Sequence, residues 1–483
     1  MLKQKLIVSA KWNGLGRLAA MISDFSFGII LARLLLPNDF GVIAILTVFV
    51  SFLGVFVNSG FSQALIREKN VSNLDYSTVF FFNLIVAIFV FFISFFSAPY
   101  IATFYANEKI SLYLRVLSII LFIDAFVLVQ QSILTKEMNF KMISIISVSS
   151  SLLSGITSIC LAFYGFGIWS LIIKSILKDS LILLFTIYVV RWKPQIKFSV
   201  DSFHKFFRYG VYMLGSSLLS QFYNNIFSLS VGKIFTPAVL GFYNRAELFK
   251  NTLSQNIDGI ISGVSYPALA SLQDDKVEFV NYYKNILQFS FYVVSILMIG
   301  LMFNAEALIN VLLGEKWAES VVLLQHLCLI GLLFPINSVT VNSISVTGRS
   351  KIYFKFQLFS IIGCLISLIF GYYFGIIVMI RGFILISVLL LLWIVNVFGR
   401  LFGYSMFELI KVLKNSIVNI VFLSLSFYLI NLLFADYILR LILNLLIGLS
   451  IVISSGYINK VKEFLFIESQ VKSFIVAKKD SKI

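Results

Sequence analysis

Apolar runs of about twenty residues, separated by short polar breaks, repeat along the whole chain. A helix needs that length to cross about 30 Å of hydrocarbon at 1.5 Å per residue. Barrel strands would instead give short segments of alternating character. The pattern predicts an all-α, polytopic membrane protein of about fourteen transmembrane helices, over residues 15–36, 40–66, 79–101, 110–134, 143–164, 166–190, 209–235, 239–266, 285–305, 319–346, 352–374, 376–399, 412–434 and 437–459. The longest internal polar stretch, 191–208, is too short for a separate soluble domain.

Two turns in this pattern are copies of each other. "ARLLLPNDFGVIAIL" from Ala32 matches "VGKIFTPAVLGFYNR" from Val231, pairing Pro37 with Pro237 and Gly41 with Gly241. Further on, Ser59 and Gly60 pair with Ser262 and Gly263 at nearly the same offset. The implied unit has six spans, an even number, so both copies keep one orientation, as parallel repeats of secondary transporters do. The expected organisation is an N-terminal lobe at 1–200 (spans 1–6), a C-terminal lobe at 201–403 (spans 7–12), an added pair of spans at 404–459 and a tail at 460–483.

Composition agrees with the spans: 59% of the 483 residues are hydrophobic and only 12% charged, whereas soluble domains carry about a quarter charged residues. The net charge of +16 is unevenly placed. Lys and Arg crowd the N-terminus, alternate loops and the tail, while the opposite loops hold only Lys109, Lys233 and Lys316. The positive-inside rule therefore places both termini in the cytoplasm. That basic rim faces anionic lipid head groups, so no nucleic acid partner is needed to explain it. Phe464, Ile467, Val471, Phe474 and Ile475 in the tail suit either an interfacial helix or a solvated tail.

Charged residues inside spans are costly and mark candidate function. On span 8, Asn244, Glu247, Asn251, Gln255, Asp258 and Ser262 share one helix face, flanked by Arg245 and Lys250. Span 1 carries Arg17 and Asp24, seven apart, and span 7 carries Gln221, Asn224 and Asn225. Asp124 of span 4 and Lys178 of span 6 are expected to form an ion pair within the first lobe. Arg33, Arg115, Lys174, Arg381 and Arg440, nearer span ends, are expected to snorkel. Cys160, Cys328 and Cys364 lie in apolar runs without metal-ligand spacing, and buried packing is expected for them. Two histidines, no glycine-rich phosphate loop and no nucleophile elbow leave an enzyme without parts, and no metal or cofactor is called for.

The segments "LARLLLPNDFGVIAIL", "GFSQALIREKNVSNLDYSTVFFFN", "YGFGIWSL", "RWKPQIKFS" and "VGKIFTPAVLGFYNRA" resemble the polysaccharide-exporter branch of the multidrug/oligosaccharidyl-lipid/polysaccharide superfamily, and within it Wzx-type flippases of the colanic acid exporter kind. The likeness is strongest from Lys11 to Gln273. It implies a flippase of the bacterial inner membrane that moves undecaprenyl-diphosphate-linked oligosaccharide outward for O-antigen, capsule or exopolysaccharide, alongside polysaccharide polymerase and assembly proteins. It further implies two six-helix lobes around a cavity lined by spans 1, 2, 7 and 8. On that reading Arg17 and Arg245 contact the diphosphate, Asn224, Asn251 and Gln255 replace water around the head group, and Asp24, Glu247 and Asp258 are candidates for coupling to H+ or Na+. Many relatives carry an Asp near the position of Phe227, which is absent here. The acids have a second reading as structural partners of Arg17, Arg245 or Lys250. Two rival functions remain: a multidrug or toxin extruder of the same superfamily, and a membrane glycan polymerase or ligase.

Overall fold

The computed structural model describes residues 2–58 and 60–458. The tail at 460–483 therefore lies outside the described residues. The chain is all-α, in the order α1 (Leu2–Leu34), α2 (Pro37–Asn58), α3 (Phe61–Arg67), α4 (Asn73–Phe104), α5 (Lys109–Leu117), α6 (Ile120–Lys136), α7 (Phe140–Phe163), α8 (Ile168–Val190), α9 (Val200–Ile234), α10 (Pro237–Ser271), α11 (Lys276–Phe303), α12 (Ala305–Leu312), α13 (Glu319–Val346), α14 (Ser350–Phe374), α15 (Ile376–Phe402), α16 (Met406–Leu433) and α17 (Tyr437–Ile458). Because α3 and α12 are short and α5 and α6 form one interrupted rod, these seventeen helices supply fourteen long rods among the described residues. They fall where the fourteen spans were expected.

Eleven of the rods are long and apolar enough to cross a membrane among the described residues. The other three are α8, α9 and α10, which are no shorter than several of those eleven. Their polarity has visible sources: Lys174, Lys178 and Asp179 in α8, Gln221, Asn224 and Asn225 in α9, and the charged series of α10. The polar chemistry is thus concentrated on a few helices.

Two compact units divide the chain, Met1–Gly241 and Phe242–Ile483. The boundary falls about forty residues after the lobe boundary read from the sequence, because α9 packs with the first unit. It lies along α2, α3 and α4, Gln221 Nε2 donates to Ser51 Oγ at 2.6 Å, and Tyr105 OH donates to the Leu229 carbonyl at 3.2 Å. In this unit α1 pairs with α7, and α8 packs on α6 and α7. The polar connector before α9 is fixed rather than loose: Trp192 Nε1 donates to Asn73 Oδ1, and the Gln195 and Ser199 amides donate to Ser77 and Thr78 of α4. A capping box between Ser72 and Asp75 opens α4 and holds that platform.

The repeated turns are built alike at their first match and differently at their second. Pro37 and Pro237 each begin a helix, where a missing N–H costs nothing. A Cβ on Gly41 would lie 1.6 Å from the Pro237 carbonyl oxygen, and one on Gly241 2.0 Å from that of Pro37. The contact is reciprocal, and only glycine permits it. At the second match α2 has ended at Asn58, and Gly60 takes φ 68° with Gly210 and Met213 of α9 against it. Gly263 instead sits inside the unbroken α10 with open space around it.

In the second unit α13 packs with α11 and α15, and α14 pairs with α15. The core is aromatic at one end, where Tyr283 stacks on Phe398 at 4.1 Å between centroids and Phe279 stacks on Phe402. The added spans α16 and α17 are joined to this unit by polar contacts as well as by packing. Asn444 bridges Asn304 and Asn431, and Arg440 forms a 3.1 Å ion pair with Glu306. Arg440 therefore has a fixed partner.

Candidate functional site

The series on α10 forms one face, as its spacing requires, but much of that face turns into the second unit. Lys250 and Asp258 are buried, and Asn244, Glu247, Asn251 and Ser262 are half-buried. The exposed side of α10 carries Gln255, Asn256, Gly259, Gly263 and Tyr266. Of the named series, Gln255 is the member set on open surface. Small and amide side chains make that exposed side polar without placing a charge on it.

What α10 faces inside the unit is α13, running parallel to it with a register close to eighty residues. Ser320 Oγ donates to the Phe242 carbonyl (separation 78), Ser338 Oγ to Asp258 Oδ2 at 2.7 Å (separation 80), and Asn342 Nδ2 to Ser262 Oγ at 3.2 Å (separation 80). Between these, the Lys250 stem lies against Gly331. Ser262 Oγ also donates to Asp258 Oδ2, and Tyr243 OH donates to Glu247 Oε1 at 3.4 Å. The partners Ser338 and Asn342 escaped the sequence reading. Their signal was legible in "INSVTVNSIS", a run of Asn and Ser inside an otherwise apolar span.

The two arginines are placed differently. Arg17 is exposed on α1. Arg245 is half-buried, with its guanidinium 6.0 Å from the centre of the Trp317 ring, a cation–π distance. Asn224 is exposed on α9, whereas Gln221 of the same helix is spent on Ser51.

One expected pair is corrected. Lys178 does not pair with Asp124; its Nζ lies 2.7 Å from Asp24 Oδ2, and Ser151 Oγ donates to Asp24 Oδ1 at 2.5 Å. The reason is the α1–α7 packing. Gly16 fits over Ser144 and Gly155 over Phe27, which brings α1 close enough to carry Asp24 to Ser151 of α7 and Lys178 of α8. Asp24 is thereby a structural partner of a lysine that the sequence had assigned elsewhere. Among the arginines near span ends, Arg115 donates to the Phe95 carbonyl and Arg381 donates to His326 Nε2 at 3.2 Å. Cys328 and Cys364 are buried as expected, but Cys160 is exposed, since its side of α7 lies away from the α1 contact.

A polytopic all-α bundle with polar faces confined to a few helices defines a membrane transporter rather than a scaffold of lipid-facing spans. The chain belongs to the polysaccharide biosynthesis protein family, whose pattern it matches over residues 30–322. It is 26% identical over 371 residues to the lipopolysaccharide biosynthesis protein WzxC of Escherichia coli strain K12, covering 74% of this chain and 73% of that one. It is 25% identical over 354 residues to the teichuronic acid biosynthesis protein TuaB of Bacillus subtilis strain 168, covering 73% of each. Among solved structures, the inward closed conformation of the lipid II flippase MurJ superposes with a TM-score of 0.71 at 16% identity, over 94% of this chain and 99% of that one. An inward-facing MATE family multidrug resistance transporter gives 0.63 at 15% identity, over 80% and 96%. These two likenesses concern the fold.

Proposed function

We propose that this protein is a flippase for polyprenyl-diphosphate-linked oligosaccharide in the bacterial inner membrane, serving O-antigen, capsule or exopolysaccharide synthesis. The observation that carries the reading is the polar exposed side of α10 in a chain of the polysaccharide biosynthesis family. A diphosphate-sugar head group cannot cross about 30 Å of hydrocarbon without groups that replace its water. Gln255 and Asn256 on α10 and Asn224 on α9 present amides for that purpose. Arg17 and Arg245 supply charge-assisted hydrogen bonds to the phosphates, and the polyprenyl tail stays in lipid. Arg245 lies over the Trp317 ring, and its guanidinium is the planar group suited to a phosphate. The match to the polysaccharide biosynthesis family and the likeness to WzxC favour this reading over a drug extruder.

Expression in a panel of flippase-deleted strains that make different polysaccharides tests it. Restoration of surface polysaccharide in at least one strain is expected; failure in all of them, with protein present in the membrane, would overturn the reading. In a restored strain, Arg17→Ala and Arg245→Ala should each lower export at least tenfold at unchanged membrane level. Lys at either position should rescue only partly, because it lacks the bidentate fork. Full export in both Ala variants would remove the arginines from the route.

Orientation is tested separately. With both termini in the cytoplasm, single cysteines at Asn38 and Lys316 should react with an impermeant maleimide in intact cells, while one at Lys193 should react only after lysis. The reverse pattern would overturn this topology.

A further inference from the structure

The connector between α8 and α9 is tied down on one side and bare on the other. Its sequence is "RWKPQIKFSV", residues 191–200. Three of its groups reach back to the start of α4: the Trp192 indole donates to Asn73 Oδ1 at 2.6 Å, and the Gln195 and Ser199 amides donate to Ser77 Oγ and Thr78 Oγ1 at 2.9 and 3.1 Å. The Trp192 ring also makes T-shaped contacts with Phe80 and Tyr76. Between these ties the Lys197 amide donates to the Gln195 carbonyl at 2.7 Å, a three-residue turn with Ile196 at its tip. Ile196 is 95% exposed, and Lys193, Pro194, Lys197, Phe198 and Val200 are exposed with it. The backbone that carries these side chains is held at three points, so the apolar ones are presented in place, at a standing cost in hydration if water is all they meet.

We infer that this connector is an anchor to an anionic lipid surface, with Ile196, Phe198 and Val200 entering the head-group region and Lys193 and Lys197 on lipid phosphates. Two observations choose lipid over a protein partner. The first is continuity with the lipid-facing side of α8, which arrives at the connector with Leu184, Ile187 and Tyr188 exposed at helical spacing. Arg191 then ends that helix in the left-handed conformation, its guanidinium 5.8 Å from the centre of the Tyr188 ring. An exposed tyrosine with an arginine at the end of a span marks the head-group level, so the connector leaves the helix where lipid phosphates begin. The second is charge: Arg191, Lys193 and Lys197 are followed by no acid before Asp201. A basic segment with interleaved apolar side chains binds an anionic interface by electrostatic attraction and apolar burial together. The rest of the basic rim needs only to lie near the head groups, whereas this segment is shaped to enter them. Because Ser199 is the N-cap of α9, the anchor also holds the start of that helix.

Neither transport nor orientation enters the test, because a nanodisc presents the same lipid on both faces. In full-length protein the exposed Cys160 is replaced by Ala, the buried Cys328 and Cys364 are kept, and Ile196→Cys is labelled with a polarity-sensitive maleimide fluorophore. Asp274→Cys, in the exposed acidic turn between α10 and α11, carries the same label as a control. In discs containing phosphatidylglycerol, a phospholipid with a nitroxide near its head group should quench the label at position 196 about twofold more than the label at position 274, as an inserted segment requires. Discs of phosphatidylcholine alone should bring the first label down to the control level, and so should the Lys193→Gln/Lys197→Gln double variant in phosphatidylglycerol. Monodisperse size exclusion establishes that each labelled protein is folded. Quenching at position 196 no greater than the control in folded protein, as for a loop standing in water or kept for a soluble partner, would overturn the proposal. So would equal quenching with and without phosphatidylglycerol.

Discussion

Replacing Gly41 with valine should leave almost no folded protein in the membrane, and Gly241→Val should do the same. The atom that an added Cβ meets in each case is the carbonyl oxygen of the partner turn's proline, at 1.6 and 2.0 Å. A flexible side chain could give way, but a carbonyl at the start of a helix moves only with the helix. Ordinary overpacking costs about 1–3 kcal/mol. Here the backbone must separate, and the loss should exceed about 4 kcal/mol, the range reserved for single changes with a specific steric cause. Gly263→Ala is the control, since that helical glycine has nothing within 4 Å of its would-be Cβ. It should be neutral or slightly stabilising, because Ala is favoured over Gly in a helix by about 1 kcal/mol. Fluorescence-detected size exclusion of tagged variants measures all three, and a monodisperse, wild-type yield from Gly41→Val would refute the reciprocal contact.

The second large effect concerns Asp24 and Lys178. Removing Lys178 alone strands a carboxylate held by Ser151 at membrane depth, and removing Asp24 alone strands an ammonium. Breaking a fully buried pair costs about 3–5 kcal/mol. This pair is 37% and 29% exposed at its side chains, so screening should reduce the loss to about 1–3 kcal/mol. Lys178→Met and Asp24→Asn should each lower folded yield, and the double variant should recover most of it, because no charge is then left unmatched. Export separates the two roles given to Asp24. If the acid is only a structural partner, the double variant exports polysaccharide; if it carries a coupling ion, the double variant folds and does not export.

The spans and the paired proline–glycine turns were legible in the sequence because both rest on local rules. An apolar run of sufficient length has one solution in a bilayer, and Pro37 and Pro237 can open a helix but not continue one. The reciprocal packing of Gly41 on Gly241 was not legible, since sequence spacing carries no information about which turns meet. Helical periodicity placed Glu247, Asn251 and Asp258 on a common face. It could not say that the face was closed by α13, because that depends on the parallel register that sets Ser338 beside Asp258. The same limit misassigned Lys178. Asp124 and Asp24 are both at mid-membrane in the sequence, and only the close α1–α7 packing over Gly16 and Gly155 decides between them. The compact units divide the chain later than the repeat read from the sequence for a related reason: α9 starts the second repeat in that reading and packs on α2, α3 and α4.

The central claim is that this chain moves a lipid-linked oligosaccharide from one leaflet to the other. Purified protein should be reconstituted into sealed vesicles that hold polyprenyl-diphosphate-linked oligosaccharide in both leaflets, and an impermeant glycosidase added outside. In protein-free vesicles about half of the glycan is expected to be cleaved and the rest protected. With the protein present, the protected half should become accessible within minutes, and Arg245→Ala should restore protection. Continued protection of that half in vesicles containing folded wild-type protein, whether or not a sodium gradient is imposed, would contradict the account.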